Sequence, residues 1–211
     1  MRTHVWVFPL LAVLLTAPAI ADVADVADGP TMVQPLPVGA KAPDFVVRTT
    51  TGAVRHFGAG SYAKPTVLIF YRGGWCPYCN TQISEMRLVE AKLRASGFEI
   101  VFLSTDQPNL LYSSLKEKDI HYTLLSDNLM QAAQAFHIAY HVDESTLAKM
   151  REYGIDLEKT TGTQLHELPV PSVFIVDTSG TIRYEYSNPD YKIRLGADAL
   201  WEAAKPFAVS K

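Results

Sequence analysis

The chain has 211 residues, 48% of them apolar, with 19 basic and 22 acidic residues and a formal net charge of −3. That length supports one domain with a full hydrophobic core and is short for two. The weak, scattered charge argues against nucleic acid or an anionic membrane surface as a partner.

The first residues, MRTHVWVFPLLAVLLTAPAIA, combine a basic Arg2, an apolar run from Val5 to Ala17, and Ala19 and Ala21 at the spacing signal peptidases accept. They predict a signal peptide over residues 1–21, cleaved after Ala21, and a periplasmic or secreted protein. The run is broken by Pro9 and Pro18 and falls short of the roughly 20 apolar residues of a membrane span, so no membrane association beyond the signal is expected. Residues 22–41, rich in Pro, Gly, Ala and Asp, read as a flexible linker. Residues 42–211 read as one domain.

Within that domain DFVVRTTTGAVRHF predicts a β-hairpin around Thr51-Gly52. TVLIFY, Thr66 to Tyr71, is a continuous apolar run bounded by Lys64-Pro65 and Gly73-Gly74, as suits a strand buried on both faces. A helix is expected to start at the cysteines, since Ile83, Met86, Val89 and Leu93 keep helical spacing and Ser96-Gly97 supplies the stop. FEIVFLS, Phe98 to Ser104, is a second buried strand, so strand, helix and strand make a parallel crossover. A polar helix around 109–118, a short strand over Tyr122–Leu125 and a helix from Asp127, as N-cap, to about Phe136 follow. Residues 141–168 read as an insertion containing a helix from Glu144 to Tyr153. PSVFIVD, Thr178-Ser179-Gly180 and TIRYEYS predict a closing hairpin, and Ala197 to Phe207 a last helix. The fold class is α/β, a central mixed β-sheet flanked by helices, with an N-terminal hairpin and a helical insertion.

Both cysteines of the chain, Cys76 and Cys79, lie in FYRGGWCPYC. At the start of a helix, unpaired N–H groups and the positive end of the dipole favour thiolate over thiol. Cys76 falls in the first turn and Cys79 one turn in, close enough for a disulfide. Pro77 suits a first turn because it needs no donor there. Gly73 and Gly74 let the backbone bend, and Trp75 shields one flank. Arg72 could add positive charge near the sulfur, although its ordinary reading is a solvated surface residue. A purely structural bridge would close a loop of four residues, worth only about 2 kcal/mol, and a structural zinc site lacks a second cysteine pair. Redox chemistry is the expectation that remains.

His137 and His141 stand four apart, but no glutamate follows His137 and no third ligand is evident; they read as ordinary residues. The aromatic segment Arg183 to Tyr191 reads as strand packing plus a turn, without chemistry. With no phosphate-cradling glycine fingerprint and no full ligand set, no metal, nucleotide or organic cofactor is expected.

APDF at 42–45, TVLIFYRGGWCPYC at 66–79 and LPVPSVFIVDTSGTIRYEYSNPDY at 168–191, in that order, resemble the peroxiredoxin-like branch of the alkyl hydroperoxide reductase and thiol-specific antioxidant family. The likeness runs from about residue 38 to the C-terminus. It implies a thioredoxin-like fold and thiol-based reduction, often of hydroperoxides, with electrons from a thioredoxin-like protein or a small thiol. Typical members carry a proline, a threonine and the peroxidatic cysteine in the loop after FY, and a distant arginine that activates the peroxide. Counted from Phe70-Tyr71, Arg72 stands at the proline, Cys76 at the threonine and Cys79 at the peroxidatic cysteine, while Pro171 occupies the arginine position. Pro171 there resembles the cis-proline that faces the CxxC of thioredoxins.

Two chemistries therefore stay open: peroxide reduction closed by a Cys76–Cys79 disulfide, and thiol–disulfide exchange on protein or small-molecule disulfides. Family register selects Cys79 as the attacking sulfur. The first-turn position, with more exposure and more dipole stabilisation, selects Cys76. A redox-silent binding module is the third reading.

Overall fold

A computed structural model of the chain describes residues 26–111 and 122–209. The expected signal segment lies outside the described residues, as does most of the helix expected at 109–118.

The first hairpin forms as β1 (Phe45–Thr49) and β2 (Val54–Phe57), in antiparallel register from Phe45↔Phe57 to Arg48↔Val54. β3 (Thr66–Tyr71) leads through the glycine turn into α1 (Pro77–Ala95), which returns to β4 (Glu99–Ser104). β3 and β4 pair in parallel along all six residues, as the crossover requires. α1 stops where Gly97 takes φ +88°, a backbone state that side chains disfavour. α2 (Pro108–Leu111) and β5 (Thr123–Ser126) follow, with β5 parallel to β4 and antiparallel to β1.

The helix expected from Asp127 is shorter than its pattern. It forms as α3 (Gln131–Ala135), and Asp127 caps it from outside, accepting from the main-chain N–H groups of Ala132 and Ala133 at 2.9 Å each. β6 (Ala139–His141), α4 (Glu144–Glu152), α5 (Leu157–Thr161) and β7 (Glu167–Pro169) make up the insertion, with β6 and β7 paired antiparallel in a sheet of their own. Asp143 caps α4 through its side chain, which accepts from the Thr146 N–H. β8 (Ser172–Val176) and β9 (Ile182–Ser187) form the closing hairpin, and α6 (Ala197–Ala204) runs into a 3₁₀ turn at Lys205–Phe207.

The seven-stranded sheet has the order β2-β1-β5-β4-β3-β8-β9. Central strands alternate their side chains between two cores, which is why their sequences are apolar without interruption. Val67, Ile69, Tyr71, Ile100, Phe102, Val173 and Ile175 pack with α1 and α6 on one face. Leu68, Phe70, Val101, Leu103, Phe174 and Val176 pack with Ala132, Ala133 and Phe136 on the other. Each such side chain removed from water contributes roughly 1.5–3 kcal/mol. A third, smaller core gathers Tyr140, Leu147, Met150, Leu157, Leu168 and Val170 in the insertion.

The segment expected to be a flexible linker is anchored over residues 26–41. Ala27 bridges to Tyr140 and Lys41 to Thr181, and the Leu36 N–H donates to the Phe136 carbonyl at 3.3 Å. Val26, Leu36 and Ala40 pack on the second core. Composition concealed this, because a few spaced apolar residues suffice to hold an extended strap.

Candidate active site

The loop between β3 and α1 is fastened through its main chain. Thr105 Oγ1 donates to the Arg72 carbonyl at 2.7 Å, and the Gly74 N–H donates to Asp106 Oδ2 at 2.6 Å. Asn80 Nδ2 donates to the Gly74 carbonyl at 2.8 Å. Ser104 Oγ donates to the same Asp106 oxygen at 2.9 Å, and burial of that carboxyl pushes its pKa up against these two donors. Gly73 has φ +152°, and a Cβ there would run into the Trp75 indole, so only glycine fits.

Cys76 is the N-cap of α1 with extended backbone, Pro77 is exposed at the first helical position, and Cys79 follows in the first turn. Both cysteines are free thiols. They are 1% and 0% exposed, which corrects the expectation that Cys76 is the more accessible sulfur. Electrostatics separates them instead. A hydrogen bond from the Cys79 side chain lowers the Cys76 thiol to about 6 against the opposing effect of burial, helped by the Cys79 main-chain N–H and by the charges of Arg72 and Arg194. Burial, followed by the proximity of Cys76, pushes the Cys79 thiol well up.

Arg72 is not on the surface. It is 7% exposed, with its guanidinium carbon 4.9 Å from the Trp75 ring centre and 4.2 Å from that of Tyr191. The two rings cover the cation and keep it beside the sulfurs. Tyr191 in turn meets Tyr78 edge to face at 5.7 Å. The segment Arg183 to Tyr191, read as packing alone, thus supplies one wall of the site. Trp75 packs on both the first and the third core and joins the insertion to the thiol pair.

Arg194 escaped the sequence reading. Its Nη2 lies 3.3 Å from Cys79 Sγ and 3.9 Å from Cys76 Sγ. The residue sits in the polar loop after β9, 115 positions from Cys79, and no spacing rule links the two. Pro171, at the head of β8, is buried and its carbonyl accepts from the Asn188 N–H at 3.3 Å. No peptide bond among the described residues is cis, which corrects the cis-proline expectation for Pro171. His137 and His141 do not share a helix: the first follows α3 with φ +58° and the second ends β6.

A mixed sheet with flanking helices, and the cysteine pair at the head of the helix after a buried strand, make a thioredoxin-like fold. The chain belongs to the AhpC/TSA family, whose model matches residues 38–185. It is 31% identical over 106 residues to a putative peroxiredoxin bcp of Haemophilus influenzae, a match spanning 49% of this chain and 66% of that protein. It is also similar to the thiol-disulfide oxidoreductase ResA of Bacillus thuringiensis subsp. konkukian, 21% identical over 166 residues and 78% of each chain. Among solved structures, peroxidoxin BcpB from Mycobacterium tuberculosis superposes with a TM-score of 0.61 at 19% identity, over 82% of this chain and 98% of that one, a likeness of fold.

Proposed function

We propose that Cys76 and Cys79 are the redox unit of a thiol-dependent peroxidase. The Cys76 thiolate attacks the O–O bond of a hydroperoxide and becomes sulfenic acid, while the departing alkoxide takes a proton and leaves as alcohol, or as water from hydrogen peroxide. Cys79 condenses with the sulfenic acid and releases water, and two electrons from a thioredoxin-like protein or a small thiol restore the dithiol through a mixed disulfide. Export under the direction of residues 1–21 belongs to the same proposal and puts the reaction in an oxidising compartment.

The observation that carries it is a thiol pair sealed from solvent, with the charges of Arg72 and Arg194 favouring the Cys76 thiolate. Cys76 is lowered to about 6 beside two guanidiniums, yet both sulfurs are at most 1% exposed. A site so closed admits a small peroxide more readily than the disulfide of a folded protein.

Disulfide exchange is the second reading. It is favoured by the unequal ionisation of the two thiols, in which the first sulfur attacks and the second releases the product, and by the likeness to the Bacillus oxidoreductase. The reduced protein, mixed with hydrogen peroxide, an organic hydroperoxide and an insulin-type disulfide in parallel, distinguishes the two. Fast second-order oxidation by peroxide, lost in Cys76→Ser, is expected. Peroxide rates no better than those of free cysteine, alongside brisk disulfide reduction, reverse the order.

A further inference from the structure

The two guanidiniums at the thiol pair are held differently. Arg194 is a fixed fork: Nε donates to the Tyr191 carbonyl at 2.6 Å, and Nη1 donates to Gln82 Oε1 at 3.2 Å. Gln82, buried on α1, reaches back to the Leu195 carbonyl at 3.5 Å and locks the loop to the helix. That leaves Nη2 for sulfur, and it is nearer Cys79 than Cys76 by 0.6 Å, 3.3 against 3.9 Å. Arg72 makes no such contact; its charge sits between aromatic rings. Of the two charges Arg72 is the stronger influence on Cys76, and Arg194 is the guanidinium that lowers Cys79. No carboxylate among the described residues forms an ion pair with Arg194, so sulfur is the anion it can serve.

The inference rests on the dithiol cycle proposed above, in which Cys79 is the harder thiol to ionise because it is completely buried. We propose that Arg194 is a catalytic residue of the resolving half-reaction, stabilising the negative charge that develops on Cys79 as it attacks Cys76, while Arg72 and the helix N-terminus serve the first attack. In this step the Cys79 S–H bond breaks and its electron pair forms the new S–S bond. The S–O bond of the Cys76 sulfenic acid breaks with its pair on oxygen, and the departing hydroxide takes the Cys79 proton and leaves as water. Cys76 is reduced from the sulfenic state, Cys79 is oxidised, and Arg194 keeps all its protons throughout.

The test uses the reduced full chain, Arg194→Gln and Arg194→Lys, mixed with hydrogen peroxide, quenched at intervals with dimedone and read by intact mass. In Arg194→Gln the first oxidation is expected to slow a few-fold and disulfide formation by at least about tenfold, the worth of a charge-assisted hydrogen bond to a buried sulfur. The dimedone adduct of Cys76 then accumulates, and the resolving rate shifts to higher pH. Arg194→Lys recovers part of the rate, because the charge remains and the fork is lost, and it stands in if the glutamine variant does not fold. Equal slowing of both steps, or no adduct beyond that of the unsubstituted chain, overturns the assignment. If peroxide fails to oxidise even the unsubstituted chain, the peroxidase reading falls separately. The same variants are then mixed with hydroxyethyl disulfide, where a long-lived mixed disulfide on Cys76 upholds the role of Arg194 and its absence refutes it.

Discussion

The Cys76 thiol is tuned first by its neighbour. The Cys79 side chain is the largest influence lowering its thiol to about 6, ahead of either arginine. Below that pH the sulfur is protonated, so on the proposed cycle oxidation by peroxide is expected to slow about tenfold per pH unit, and above it to stay level. Thiolate absorbance in the ultraviolet should therefore titrate near pH 6, and Cys79→Ala should move the midpoint up by about a unit or more. An unmoved midpoint would mean that the arginines and the helix carry the shift. The pair itself was legible because two cysteines three apart, after a strand and a glycine turn, have one local geometry. The groups that tune it were not. Arg72 reads as surface because nothing local says that Trp75 and Tyr191 close over it, and Arg194 is brought to the sulfurs by the path of the chain after β9. Pro171 matched a thioredoxin feature by position, and its trans peptide bond shows that position alone does not set the isomer.

α3 is built around a buried acid. Asp127 is 4% exposed, and burial lifts its carboxyl to about 7 even though it accepts from the N–H groups of Ala132 and Ala133. A carboxyl whose pKa is raised by folding is held protonated more tightly in the native state than in the unfolded chain. The stability it contributes is complete below the unfolded value of about 3.9 and is lost as pH rises through about 7. Asp127→Asn cannot titrate and should lower stability by about 1 kcal/mol at acidic pH through the lost acceptor. That deficit should shrink between about pH 4 and 7 and then level off; thermal melts in which it stays constant across that range would refute the linkage. The strands β3, β4 and β8 were readable because burial on both faces leaves uninterrupted apolar runs, and α1 because its apolar residues keep helical period. α3 was read too long because Asp127 does carry capping chemistry, but it caps across the Asn128–Met130 turn, and Met130 sits in a left-handed backbone state that no pattern announced.

The described chain is built on a seven-stranded sheet between two cores, with a third, smaller core in the insertion and the N-terminal strap closing part of the second. Leu36→Ser removes an apolar contact from that strap and should cost roughly 1–2 kcal/mol in chemical denaturation; a freely hanging segment predicts no change. Topology explains why the sulfurs emerge where they do. β3 is central, flanked by β4 in parallel and β8 antiparallel, so its C-terminal end delivers the loop to a rim reached by Asp106 from β4's end and by Tyr191 and Arg194 beyond β9. Because that loop is tied down by the carbonyls of Arg72 and Gly74 and by the N–H of Gly74, its foundations do not depend on the side chains that face incoming molecules. On the proposed cycle the exposed Tyr78 can thus be exchanged to retune which oxidant enters, while Tyr191 stays to hold the Arg72 charge beside the sulfurs, making the outer rim a designable gate.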